Sequence, residues 1–140
     1  MKILSPQQLV DCATNPKKCG GTGGCEGSVA EVAYDYIVSN GGMTLESNYP
    51  YKGRDMTCAF KAGSAAVSCT GYVKLPENNY TALMNAIATI GPIAISVEAD
   101  TWSFYGGGIF AANKCNLKNT DIDHAVQLVG YGTEGGKDYW

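Results

Sequence analysis

Helix-start signals crowd the first half of the chain and β-forming runs crowd the second, a division that constrains the fold more than any other feature. Ser5-Pro6-Gln7-Gln8 places Ser at an N-cap, Pro at the first helical position and Gln at the third, a capping box that predicts a short helix through Leu9 and Val10. Ser28-Val29-Ala30-Glu31 reads as a second box. Beyond it Val29, Val32, Ala33, Tyr36 and Ile37 recur at helical spacing until Asn40-Gly41-Gly42 ends the segment. Residues 13–27 have no apolar period and read as an irregular loop, as does the stretch from Tyr49 to about Ser68. After Gly71 the character changes. Residues 72–75 read as a strand, 80–90 as a helix stopped by Gly91-Pro92, and 93–97, 125–129 and 138–140 as β-rich. Such segregation predicts an α+β fold in two lobes, residues 1–70 and 71–140.

At 140 residues the chain is one compact unit or pieces of two, long enough for a hydrophobic core. A net charge of −3 without basic runs lacks the footprint of a nucleic-acid or anionic-membrane binder. No apolar run approaches the ~18–20 residues of a membrane span, and no signal peptide is visible behind Met1-Lys2-Ile3. Charged residues are 16%, against a usual ~25%, while 18 glycines are nearly twice the usual ~7%, so a loop-rich, tightly turned protein is expected. None of the six cysteines forms a CxxC and His124 is the only imidazole, which argues against a metal site. An even, scattered count favours disulfides and an oxidising compartment, with all fifteen connectivities open at this point. Asn79-Tyr80-Thr81 fits the N-glycosylation acceptor pattern and agrees with a secretory route.

The glycines of 20–27 lack the Gly-Lys-Ser/Thr ending and the preceding strand of a phosphate cradle. Asp121 and Asp123 could be an acid/base pair, but two carboxylates in a polar loop are expected to be solvated surface. His124 is the better candidate, because it sits where a polar loop meets an apolar strand, an edge that suits a positioned general base.

Leu4-Ser5-Pro6-Gln7-Gln8-Leu9-Val10-Asp11-Cys12, Gly24-Cys25-Glu26-Gly27, Asn48-Tyr49-Pro50-Tyr51, Gly91-Pro92-Ile93, Asp123-His124-Ala125-Val126 and Val129-Gly130-Tyr131-Gly132 resemble, in order and approximate spacing, the papain-like cysteine proteases of the cathepsin type. The resemblance runs over essentially the whole chain. It implies a two-lobe fold incomplete at both ends: a helical lobe (1–70) and an antiparallel β-barrel-like lobe (71–140). His124 matches the family's catalytic His, which forms an ion pair with a cysteine thiolate and protonates the leaving amine. Counting back by the family's spacing, the nucleophile falls before residue 1, as does the oxyanion-hole Gln, and the orienting Asn falls a few residues past Trp140. Cys25 lacks the nucleophile's Cys-Gly-Ser/Ala-Cys-Trp/Tyr context. The 140 residues alone are therefore expected to be inactive.

By resemblance Cys12 pairs with Cys58, and Cys25 and Cys115 match positions whose partners fall outside the chain. Cys19 and Cys69, outside the common pattern, are expected to pair with each other. Gly27 and Ser28 match the strip that hydrogen-bonds substrate backbone. Val29 and Ala30 match one wall of the main specificity pocket, and Ser96, Ile122 and Ala125 its floor and sides, with Asp123 beside them. These small and apolar residues imply acceptance of an aliphatic or aromatic side chain two residues before the scissile bond. Glu26 and Ser28 depart from the family's usual Asn and Gly. The resemblance further implies no cofactor, a peptide or protein substrate, an inhibitory pro-segment, a monomer when complete, and lysosomal, vacuolar or secreted location. A non-catalytic homologue and a disulfide-stabilised binding module are the alternatives.

Overall fold

Ser5 opens helix α1 (Pro6–Cys12), its Oγ accepting from the Gln8 N–H at 3.0 Å, in a computed structural model that describes residues 1–110 and 121–140. Only this half of the expected capping box forms. The Gln8 side chain is instead fully buried, where Nε2 donates to the Tyr36 hydroxyl and the Gly42 carbonyl, both at 3.0 Å, and Oε1 accepts from the Thr44 N–H at 2.8 Å. Gln7 is equally buried. Its Nε2 donates to Asp11 Oδ1 (2.8 Å) and the Arg54 carbonyl (2.9 Å), and its Oε1 accepts from the Lys52 N–H (2.7 Å). Buried amides are tolerated when their donors and acceptors are paired, and here the pairs tie α1 to chain 28 to 47 residues away. Cys12, Ala13, Tyr36 and Met43 form the apolar counterpart, with Leu4, Leu9, Ile37 and Phe60 packed against them.

Helix α2 (Ala30–Ser39) begins one residue later than a Ser28 capping box would place it. Val29 occupies the N-cap, its carbonyl accepting from Val32 and Ala33, and the buried Ser28 Oγ has no hydrogen-bond partner among the described residues. The helix ends at Asn40, whose N–H donates to the Tyr36 carbonyl at 2.9 Å. Gly42 follows at φ +127°, with the Val67 backbone lying where a Cβ would be, so a side chain there would break the Met43–Val67 bridge. Residues 71–76 form no strand: Tyr72 stacks on Tyr34 of α2, ring centroids 5.4 Å apart, while Val73 is 85% exposed, so this run has no strand partner to satisfy its β-forming residues.

Cys12 and Cys58 form a disulfide, Cα atoms 4.9 Å apart. Cys19 and Cys69 do not pair; both are free thiols, as is Cys25. Cys19 is held in its own loop by buried Asn15, which accepts from the Cys19 N–H (3.0 Å) and donates to the Cys19 and Gly21 carbonyls (2.9 and 3.0 Å). A disulfide needs Cα atoms within about 7 Å and converging Cβ vectors, a geometric condition that pairing by elimination does not contain. Cys115 lies outside the described residues.

The chain divides into two compact units, Met1–Val73 and Lys74–Trp140. In the second, Asn79 caps helix α3 (Tyr80–Thr89), which leads into β1 (Ile93–Val97). β1 pairs antiparallel with β2 (His124–Leu128), Val97 opposite His124 and Ile93 opposite Leu128. A second ribbon joins β3 (Gly132–Glu134) to β4 (Lys137–Tyr139). Among the described residues of this unit Ala86, Ile87 and Leu128 are the buried apolar ones, and Tyr80 and Tyr131 both contact Trp140. Among the described residues no helix is long and apolar enough to cross a membrane.

Candidate active site

His124 is the first residue of β2 and is exposed at the end of the ribbon. Pairing with Val97 fixes its backbone, and the Trp102 ring meets the imidazole edge-on at a centroid distance of 6.2 Å and 89°. An exposed imidazole with a fixed backbone and one flank held by an aromatic ring can give and take a proton while facing a ligand.

Asp123 precedes it and is tied by hydrogen bonds to the chain that leaves β1. Its N–H donates to the Val97 carbonyl at 3.2 Å, and its Oδ1 accepts from the Ala99 N–H at 2.8 Å. It is exposed at the surface, as expected of this loop, and fixed there by these hydrogen bonds. The Ala99 N–H, followed by a hydrogen bond from Asp100 and the neighbouring His124, holds the Asp123 carboxyl below the usual carboxylate range. Asp100 moves the opposite way: its hydrogen bond to Asp123, with the adjacent negative charge, keeps its proton to higher pH. Asp100 and Trp102 are neighbours of the site that residue spacing did not reveal. The contacts span more than twenty positions, and only the β1–β2 register brings them to His124.

Ser96 and Ala125 stand opposite each other in the β1–β2 ladder, and both are exposed, as is Ile122. Gly27, Ser28, Val29 and Ala30 belong to the other unit, where each is half-buried at the entry to α2. Gly27 has φ +89° and its carbonyl accepts from the Gly23 N–H at 2.9 Å, closing the Gly-rich turn on the short 3₁₀ segment Gly24–Glu26. Cys25, in that segment, is exposed, and Asp55 Oδ1 accepts its N–H at 2.8 Å. Partial desolvation and then the Asp55 carboxylate push its thiol up, away from the thiolate a nucleophile needs. Among the described residues no cluster of three His, Cys, Asp or Glu side chains is arranged to hold a metal ion.

The papain family cysteine protease model matches residues 1–140. The chain belongs to the papain family of cysteine proteases. Among its relatives, digestive cysteine proteinase 1 of Homarus americanus is 43% identical, over 98% of this chain and 42% of the relative. Cathepsin K of Mus musculus is 40% identical, over 98% and 40%. The digestive procathepsin L2 proteinase from Tenebrio molitor larval midgut superposes with a TM-score of 0.89 at 36% identity, covering all of this chain and 42% of that one. The described elements are thus a portion of the papain-like α+β fold, and the chain spans about two-fifths of the length of the family members it matches.

Proposed function

We propose that the whole protein is a cysteine endopeptidase in which His124 is the imidazole partner of a cysteine nucleophile located outside residues 1–140. The observation that carries this reading is the match of the papain family over the full chain, together with an exposed His124 that the β1–β2 pairing and Trp102 hold at one strand end. In such a pair the thiolate attacks the peptide carbonyl and the imidazolium gives its proton to the departing amine. Residues 1–70 form part of the helical lobe and 71–140 part of the β-barrel lobe, a reading supported by the division of the chain at Val73.

Gly27 and Ser28 offer backbone groups to the substrate chain, and the small or apolar residues Val29 and Ala30 of the first unit and Ser96, Ile122 and Ala125 of the second each contribute to recognition of the side chain two residues before the cleaved bond. Half-burial of Val29 and Ala30 and the exposure of Ile122 support this, since they leave apolar surface for a ligand to cover. Cys25 and Cys115 form disulfides with cysteines elsewhere in the whole protein. The protein is a monomer made with an inhibitory pro-segment and resides in a lysosome or vacuole or outside the cell; the procathepsin structures support the pro-segment, and the cathepsin and digestive proteinase relatives support the location.

The test is hydrolysis of short peptides by the whole protein, with the second residue before the cleaved bond varied. Leu, Val or Phe there should outpace Asp or Lys by at least tenfold, and alkylation with iodoacetamide should abolish the reaction. Hydrolysis that survives full alkylation, or peptide binding without hydrolysis, would overturn it, the latter in favour of a non-catalytic homologue.

A further inference from the structure

The motif Asn79-Tyr80-Thr81 plays no part in peptide hydrolysis, yet it is the sole Asn-X-Ser/Thr in the sequence and it falls where a folded protein can carry a modified asparagine. Asn79 is exposed, with extended backbone (φ −99°, ψ 95°) at the N-cap of α3. Its two amide atoms have separate fates. Oδ1 accepts from the Ala82 N–H at 2.9 Å and so caps the helix, while Nδ2 donates to no described residue. Around it Pro76, Glu77 and Asn78 are exposed, Tyr80 is 69% exposed, and Thr81 is exposed as well.

We propose that Asn79 is an N-glycosylation site, modified on Nδ2, and that the attached sugar leaves the α3 cap intact. The donor class is an oligosaccharide linked through diphosphate to a lipid. The bond from the sugar's anomeric carbon to the diphosphate oxygen breaks, a bond from that carbon to Nδ2 forms, one amide proton is lost, and the lipid diphosphate departs. One N–H and the whole of Oδ1 remain on the asparagine, so the hydrogen bond from Ala82 is untouched. Thr81 lies in the first turn of α3, which would withhold its hydroxyl from a transferase that reads an extended acceptor. That conflict disappears before folding, because a ten-residue helix such as α3 does not persist in water without its tertiary packing. Transfer therefore precedes α3, and α3 then closes under the sugar.

The inference rests on the proposed passage through the secretory route, which the Cys12–Cys58 disulfide supports. The test separates the two. The whole protein is expressed behind a heterologous secretory leader in eukaryotic cells, which imposes the route, and the peptide containing Asn79 is analysed by mass before and after peptide-N-glycosidase in H2(18)O. The expected result is a glycan removed by the enzyme, with Asn79 converted to labelled Asp. Asn79→Asp and Thr81→Ala should each abolish it, and both should retain the wild-type melting temperature of the deglycosylated protein because both keep an oxygen at the cap. An unmodified Asn79 in secreted protein whose Cys12–Cys58 bond has formed would overturn the proposal. A glycan on the leader-driven protein, with the native protein found reduced in the cytosol, would uphold the acceptor and count against the route alone.

Discussion

Replacing Gln8 by alanine removes one side chain and strands three buried groups. The Thr44 N–H loses its acceptor, the Gly42 carbonyl loses a donor, and the Tyr36 hydroxyl loses its partner, in a place where Gln8 itself has no exposure. At roughly 1–3 kcal/mol for each buried group left unpaired, partly relieved by relaxation, the loss is about 4 kcal/mol. That is a large share of the ~5–15 kcal/mol that holds a typical domain. Tyr36→Phe removes a single hydroxyl and leaves the Gln8–Gly42 and Gln8–Thr44 bonds, so about 1 kcal/mol is expected. Gln8→Glu keeps the acceptor for Thr44 but turns a carboxylate toward the Gly42 carbonyl. Burial raises the folded-state pKa of that carboxyl, so its stability contribution is present at low pH and is lost as pH rises through the folded value. Both tryptophans lie in the second unit, which makes tyrosine near-UV circular dichroism in urea, with hydrogen exchange at the Thr44 amide, the appropriate assay. A Gln8→Ala loss below about 1 kcal/mol, or a Tyr36→Phe loss equal to it, would refute the account of α1 as a helix secured by buried amides.

Three further outcomes follow from the geometry. Cys12→Ser should destabilise the first unit by about 4 kcal/mol under oxidising conditions, the loop-entropy value for a 46-residue separation, and by much less in reductant; equal melting temperatures of wild type and variant under oxidising conditions would contradict it. In the 140-residue chain, Asp55→Asn should speed alkylation of Cys25 at pH 8, because a carboxylate that opposes the thiolate is gone; an unchanged rate would remove Asp55 as a cause. Asp123 should deprotonate below, and Asp100 above, the ordinary aspartate value in carboxyl NMR titrations. By linkage, Asp123 adds stability that is lost as pH falls through its lowered folded value, and Asp100 adds stability that is lost as pH rises through its raised one, so Asp100→Asn should abolish the loss at the higher pH and leave Asp123 still lowered by the Ala99 N–H.

The elements with strong local signals were legible. Ser5 with Pro6 announced α1, the apolar spacing from Val29 to Ile37 announced α2, and the Ile93–Val97 and 125–129 runs announced the paired strands. What the residues concealed were long-range choices. By local sequence Gln8 is a capping partner, but Tyr36, Gly42 and Thr44 claim it. Ser28 loses the N-cap to Val29, residues 71–76 join no strand although Tyr72 and Val73 are β-forming, and a Cys19–Cys69 pairing has only elimination behind it. At the site, His124 stood out from the wording around it, whereas Asp100 and Trp102 became visible only once β1 and β2 were in register.

The central claim is that His124 is the imidazole of a cysteine peptidase, and the most direct measurement is kcat/KM for a peptide substrate with wild-type and His124→Ala whole protein at pH 6. The account predicts a loss of at least roughly 10³-fold, within the range for removing a general acid–base group, with folding unchanged because the side chain is exposed. Retention of full activity by a folded His124→Ala protein would contradict it.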